Sequence, residues 1–322
     1  MSARPFRFAC QAYRSTSARH WRELARRVEA LGYTSLQVPD HYIGPGPALD
    51  STGHSVQVLA AVPAIAVATA VTSTLEVGAR VLCTGYHHPV VLAKEAATLQ
   101  LLSEGRFQLG LGAGWLAAEY DAMGLPFPSA AERIDRLEET LELVRQCFAG
   151  GPVDVRGEHV HATGFTAVPA IERPPPIMVG GGAPRVLRLA GARADIVSVN
   201  FNNASGVLGP DSVASSTAEQ TRRKLDWVRS GAGERFGELT LEIAAYFVAV
   251  ESGTGPGVQA LTARTGLDAE RLREFPHALV GSVDAICEEL ERRRAEYGFS
   301  YVTVGEAVLD DFAPVVARLS GR

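Results

Sequence analysis

This chain predicts a (β/α)₈ TIM barrel, and three observations carry the prediction. Strand-like and helix-like segments alternate almost from end to end. Eight such units fit into 322 residues, and no linker, fixed-period repeat or low-complexity tract divides them. Alternation of this kind builds a parallel sheet, and eight units over this length close it into a barrel. Residues 1–322 are accordingly read as a single domain, with an inserted hairpin segment at about 151–175 and a flexible loop at 200–216.

Phe6–Gln11 reads as the first strand, and Ala18–Leu31 follows as an amphipathic helix stopped by Gly32. Ser35–Pro39 is the second strand. The Gly/Pro-rich stretch Gly44–Gly53 is a long loop, and Val56–Ala70 is apolar and helical. Leu75–Leu82 is the third strand, and Pro89 opens a helix to Ser103, where its missing N–H costs no hydrogen bond. Arg106–Leu111 and the helix Ala130–Phe148, closed by Gly150-Gly151, make the fourth unit. Between Val153 and Val168, short β-prone pieces around Arg156-Gly157-Glu158 read as the inserted hairpin. Ile177–Val179 is the fifth strand, with a helix from Pro184, and Asp195–Val199 is the sixth. The Asn/Gly/Ser-rich stretch Asn200–Ser215 is the expected mobile loop, followed by the helix Thr217–Arg229 and a long strand, Leu239–Val250. Short helices over Val258–Phe275, a charged helix Ser282–Tyr297, the strand Tyr301–Gly305 and the helix Asp310–Leu319 complete the ring.

Composition narrows the function. A hydrophobic content of 46% supplies a large core, and 21% charged residues exclude general disorder. The net charge of −5 argues against nucleic-acid and membrane-surface partners. Cys10, Cys83, Cys147 and Cys287 form no C-x-x-C pair, which points to reduced thiols and a cytoplasmic protein rather than a zinc or dithiol site. MSARPFRFACQ lacks the apolar core of a signal peptide, and Val56–Val71 is too short and too broken by Pro63 to span a bilayer. No H-E-x-x-H, P-loop or G-x-S-x-G occurs, so metal catalysis and serine hydrolysis are not expected.

The residues that could carry chemistry sit where strands give way to loops, the face on which barrels collect their active sites. Asp40-His41 ends the second strand: the carboxylate can accept hydrogen bonds from a polar cofactor edge, and the imidazole can exchange a proton near neutral pH. The plainer alternative is a capping Asp beside an exposed His. Gly110, Gly112 and Gly114 alternate through the end of the fourth strand, a pattern that signals close approach to the backbone, and Trp115 follows where it could wall a ring-shaped ligand. Gly180-Gly181-Gly182-Ala183-Pro184 runs from a short strand into a helix, leaving backbone N–H groups and a positive helix end for a phosphate, with Arg185 or Arg188 adding charge. The alternative there is a tight turn that needs glycine for geometry only. Arg80-Val81-Leu82-Cys83-Thr84 closes the third strand beside Asp40. Cys83 has no identifiable base and reads as a small core residue. His87-His88 and His159-Val160-His161 are poorly arranged as metal ligands.

Together these segments resemble the luciferase-like superfamily of flavin- and deazaflavin-dependent oxidoreductases, over nearly the whole chain. The markers are Pro39-Asp40-His41, His88-Pro89 with Leu92–Leu99, Gly105–Trp115, Glu119-Tyr120, Met178–Gly182 and Val280-Gly281-Ser282, in that order. The resemblance implies a bacterial-luciferase-like barrel with the cofactor ring across its mouth, and it is closest to the branch that uses F420, a 5-deazaflavin, with FMN the alternative. It implies that Asp40 binds the cofactor and that His41 and Trp115 stand beside the reacting atoms. Arg80, Val81 and Cys83 would bulge behind the ring through a non-proline cis peptide. Gly112 and Gly114 would border it, and Gly180, Gly181, Gly182 and Ala183 would hold the phosphate of the tail. One departure stands out: some deazaflavin enzymes of the superfamily carry a glutamate acid where this chain has Trp115, which weakens any transfer of their sugar-phosphate substrates. The expected activity is F420-dependent hydride transfer to a small organic substrate, the alternative is an FMN-dependent monooxygenase using dioxygen, and a third possibility is a cofactor-binding protein without turnover. Tyr13, Trp115 and Phe201 are candidate pocket walls, and relatives of this kind often pair as homodimers.

Overall fold

The computed structural model of the chain describes residues 4–204, 206, 210–251 and 255–322. Its strands are β1 (Arg7–Gln11), β2 (Ser35–Val38), β3 (Glu76–Ala79), β4 (Leu82–Cys83), β5 (Phe107–Gly112), β6 (Pro152–Arg156), β7 (His161–Thr166), β8 (Ile177–Gly181), β9 (Ile196–Val199), β10 (Thr240–Ala245), β11 (Phe247–Val250), β12 (Ala278–Gly281) and β13 (Phe299–Gly305). Hydrogen bonding runs β3-β2-β1-β13-β10-β9-β8-β5, and β3 pairs with β5 to close the ring, with each of these pairings parallel. This is the (β/α)₈ barrel. The inserted hairpin is present as the antiparallel pair β6–β7.

The period of two along each strand separates two environments. Phe8, Cys10, Leu36, Val38, Val77, Leu109, Leu111, Val179, Val197, Ile243 and Val302 lie in the buried layer between strands and helices. Each such side chain contributes roughly 1.5–3 kcal/mol by leaving water. The helix Ala18–Ala30 shows how the outer ring is pinned. Ser17 caps its first turn by accepting from the His20 N–H, Gly32 turns away at φ +80°, and Trp21, Leu24, Ala25 and Val28 face the barrel. Inside the barrel the other set is largely polar. Arg7 pairs with Glu76 and lies over the Tyr301 ring, and the Tyr301 hydroxyl meets Ser35, Gln37 and Gln108.

Three sequence expectations are corrected. The third strand does not run unbroken over Leu75–Leu82: it is interrupted by a cis Arg80–Val81 peptide and resumes as β4. The long strand Leu239–Val250 divides at Tyr246. β10 stays in the barrel, while β11 leaves it to pair with β12, a strand to which the sequence reading gave no element. The second helix begins at Ala61 rather than Val56, because Gln57 holds the preceding stretch extended by donating to Pro39 O and Leu59 O. Within the stretch 200–216, expected as a flexible loop, Pro210–Ala214 forms a short helix, and Asn202 N–H donates to Ser215 Oγ at 2.9 Å. Residues 205 and 207–209 of that expectation lie outside the described residues. Among the described residues no helix is long and apolar enough to cross a membrane.

Candidate active site

Asp40 stands just past the end of β2, only 3% exposed. Its Oδ2 accepts the Cys83 N–H at 2.9 Å and lies 2.8 Å from His87 Nε2, while Oδ1 is buried with no partner among the described residues. A buried oxygen left without a donor costs on the order of 1–3 kcal/mol, so this one is poised for a ligand N–H or O–H.

His41, the next residue, turns to a different partner. Its Nδ1 lies 2.7 Å from Oε2 of Glu119, and its backbone N–H donates to Gln57 Oε1 at 3.1 Å. Glu119 sits on the short helix Ala117–Ala122 and is completely buried. Burial opposes its charge, but donors from His41, the Tyr42 N–H and the Tyr86 hydroxyl outweigh it and hold the carboxyl below the usual range. The imidazole is flanked by His54 at 4.0 Å between ring centroids and by Trp115, edge-on at 6.3 Å. Burial, followed by the proximity of His41, lowers the His54 pKa to about 4, so that ring is a neutral wall near pH 7.

The Arg80–Val81 peptide is cis, as the family resemblance implied, but the two side chains part company. Arg80 Nε pairs with Glu242 Oε1 at 2.9 Å, and its terminal nitrogens reach Gln11, Ser198, Asn200 and Tyr246. The guanidinium is thus engaged inside the barrel, toward the C-terminal ends of its strands. Val81 turns the other way, across the inner face of β5 and β8. A Cβ on Gly112 would sit 2.6 Å from Val81 Cγ2, and one on Gly180 would sit 3.4 Å from Cγ1. The alternating glycines therefore do report close approach, but by this segment of the protein. Gly114, at φ +77°, makes room for the Tyr120 hydroxyl and the Cys83 thiol. Cys83 Sγ lies 3.1 Å from that hydroxyl, and burial pushes its pKa up to about 12, so it is no nucleophile.

The space at Gly181 is filled by Val186 and that at Gly182 by the backbone of Asn200 and Phe201, so their identity serves the turn's own packing. What remains for an anion is the start of the helix Pro184–Arg193, where Ala183 occupies the cap position without a side-chain cap. Arg185 is already engaged with Asp135 and Ala131 O, and Arg188 lies exposed one turn on.

Asp40, His41, Val81, Cys83, Gly112, Gly114 and Trp115 are thus joined by direct contacts, with Gly180 reached through Val81. Phe201 belongs to another cluster: its ring packs on Tyr246 at 5.0 Å and His277 at 4.6 Å, away from Trp115. Sequence reasoning gave no role to Glu119, His87, Tyr86, Gln57 or His54. Glu119 was visible as a motif residue four positions after Trp115, but its partner lies 78 residues away. His87 was weighed as a metal ligand, whereas here it orients Asp40.

Residues 2–236 match the family model described as luciferase-like monooxygenase. Among curated relatives, the F420-dependent glucose-6-phosphate dehydrogenase of Amycolatopsis mediterranei is 32% identical over 174 residues, 54% of this chain and 50% of that protein. The chain therefore spans about half the length of the curated relatives it matches. Among solved structures, the coenzyme F420-dependent tetrahydromethanopterin reductase from Methanopyrus kandleri superposes with a TM-score of 0.73 at 20% identity, covering 98% of each chain. Long-chain alkane monooxygenase superposes at 0.76 and 16% identity, covering 99% of this chain and 92% of its own. At such identities the superpositions establish the fold.

Proposed function

The chain belongs to the luciferase-like monooxygenase family, and within it we propose an F420-dependent oxidoreductase that transfers a hydride between the deazaflavin and a small organic substrate, in the reductive direction. The observation that carries this reading is Asp40 Oδ1, a buried acceptor at the mouth of the barrel with no donor among the described residues, beside an imidazole whose Nε2 has no hydrogen-bond partner among them. The names of relatives at about one-third identity support the deazaflavin. F420, when bound, supplies the ring carbon that exchanges hydride.

The chain's own residues would do the rest. Asp40 would accept from the polar edge of the ring, and Val81 would back it. The unpaired N–H groups at the start of the helix Pro184–Arg193 would hold the phosphate of the tail. His41 would give or take the one proton that a hydride transfer leaves over, a contribution worth about 10²–10⁴-fold. Trp115 and the neutral His54 would shield that proton from water. With Trp115 where a carboxyl acid could stand, we assign no sugar phosphate as substrate. The second reading is an FMN-dependent monooxygenase using dioxygen, favoured by the family match itself.

Titrating the protein with F420 and with FMN in parallel, followed by fluorescence, separates the two. The expected result is F420 affinity exceeding that for FMN by at least about tenfold, or 1.4 kcal/mol. Preference for FMN by that margin would replace the deazaflavin reading with the monooxygenase one.

A further inference from the structure

The Glu119 carboxylate receives four donors. Oε1 accepts the backbone N–H groups of Tyr42 at 2.5 Å and Ile43 at 3.3 Å; Oε2 accepts the Tyr86 hydroxyl at 3.0 Å and meets His41 Nδ1 at 2.7 Å. An ionised carboxylate has no proton to give, so the nitrogen facing it must be the one that carries hydrogen. The same residue also fixes the backbone that follows His41, through the Tyr42 and Ile43 amides. His41 Nε2 makes no hydrogen bond among the described residues, and the side chain keeps 13% of its surface exposed. The remaining titratable groups around it are committed or neutral: Asp40 and His87 face each other, Tyr86 donates to Glu119, and the His54 Nδ1 lies 2.8 Å from Ser55 O.

We infer that Glu119 is the positioning residue of this site: it keeps hydrogen on Nδ1 of His41 and thereby makes Nε2 the atom that exchanges the proton. The imidazolium gives its Nε2 proton to the substrate as it is reduced and returns to the neutral Nδ1–H tautomer. The consequence for turnover rests on the deazaflavin reading above; the tautomer itself does not. Glu119→Gln tests the inference sharply, because the Tyr42 and Ile43 amides require an oxygen at the Oε1 position. The side-chain amide must then point its NH₂ at His41 Nδ1, which becomes an acceptor, and the imidazole proton moves to Nε2.

Two-bond ¹⁵N–¹H spectra of the full chain read the tautomer without any cofactor, with the His41 signals assigned by their loss in His41→Gln. Wild type is expected to show hydrogen on Nδ1, and Glu119→Gln on Nε2. Hydrogen on Nε2 in the wild type would overturn the inference, and that measurement does not depend on whether the variant folds. With F420 and an accepted substrate, Glu119→Gln should lower kcat by about 10²–10⁴-fold and abolish the basic limb of its pH profile, while F420 affinity stays at the wild-type level. Glu119→Asp, which keeps the acceptor, should restore the tautomer and much of kcat. An unaltered kcat and pH profile in Glu119→Gln would refute the positioning role. Failure of the wild-type protein to bind F420 would instead strike the functional reading and leave the tautomer result standing.

Discussion

Glu242 inside the barrel and Glu119 on the helix Ala117–Ala122 are both fully buried carboxylates, each set against a nitrogenous partner. Their partners make them different. Arg80 cannot release a proton, and its guanidinium donates to Glu242, Gln11, Ser198, Asn200 and Tyr246. His41 can release one, and among the described residues only its Nδ1 is hydrogen-bonded. A buried ion pair whose cation is always charged and saturated holds a barrel together. The same carboxylate beside a half-free imidazole gives a site for proton transfer.

The contrast breaks most visibly at the Arg80–Glu242 pair. Arg80→Met leaves Glu242 charged and unpaired in the interior and should cost about 3–5 kcal/mol in denaturant unfolding, while the double variant with Glu242→Leu should recover much of that loss. A single variant within experimental error of wild type would show that the Arg80–Glu242 pair is not structural. His41→Ala should do the reverse: a loss of about 10²–10⁴-fold in turnover of reduced F420 with little change in the unfolding midpoint. Turnover at the wild-type level would remove His41 from the chemistry.

Gly112→Ala probes the packing of Val81 against the end of β5. Its new methyl would press on Val81 and should cost about 1–3 kcal/mol in thermal or denaturant unfolding. A neutral result would mean that Val81 yields readily and does not define the inner wall.

A smaller effect is expected in the pH dependence of stability. Burial holds His277 at a pKa of about 3 and His54 at about 4, both below the unfolded value near 6.5. Each group therefore favours the folded state fully above about pH 6.5, and that contribution is lost as pH falls toward the folded pKa, at up to about 1.4 kcal/mol per unit. Unfolding free energy measured from pH 7 to 4 should decline along this acid limb, and His277→Phe should flatten it. A limb unchanged in that variant would show that His277 is not buried neutral.

The barrel was legible in the sequence because alternation and turn residues mark each strand locally. The features that build the site are less local. A run such as Leu239–Val250, apolar but for Thr240 and Glu242, contains nothing to show that its second half leaves the barrel for β12. The glycines of β5 announced that something approaches the backbone without saying that it is Val81. Asp40 and His41 were found by their place at a strand end. Their separate partners, His87 and Glu119, come from distant segments that only the closed barrel brings together.

The most direct test of the central claim is a crystal structure of the protein with F420 bound. The ring should lie against Val81 with its polar edge on Asp40 Oδ1, the tail phosphate at the start of the helix Pro184–Arg193, and His41 Nε2 turned toward the substrate side. A deazaflavin seated elsewhere, or Asp40 Oδ1 still without a donor when F420 is bound, would contradict it.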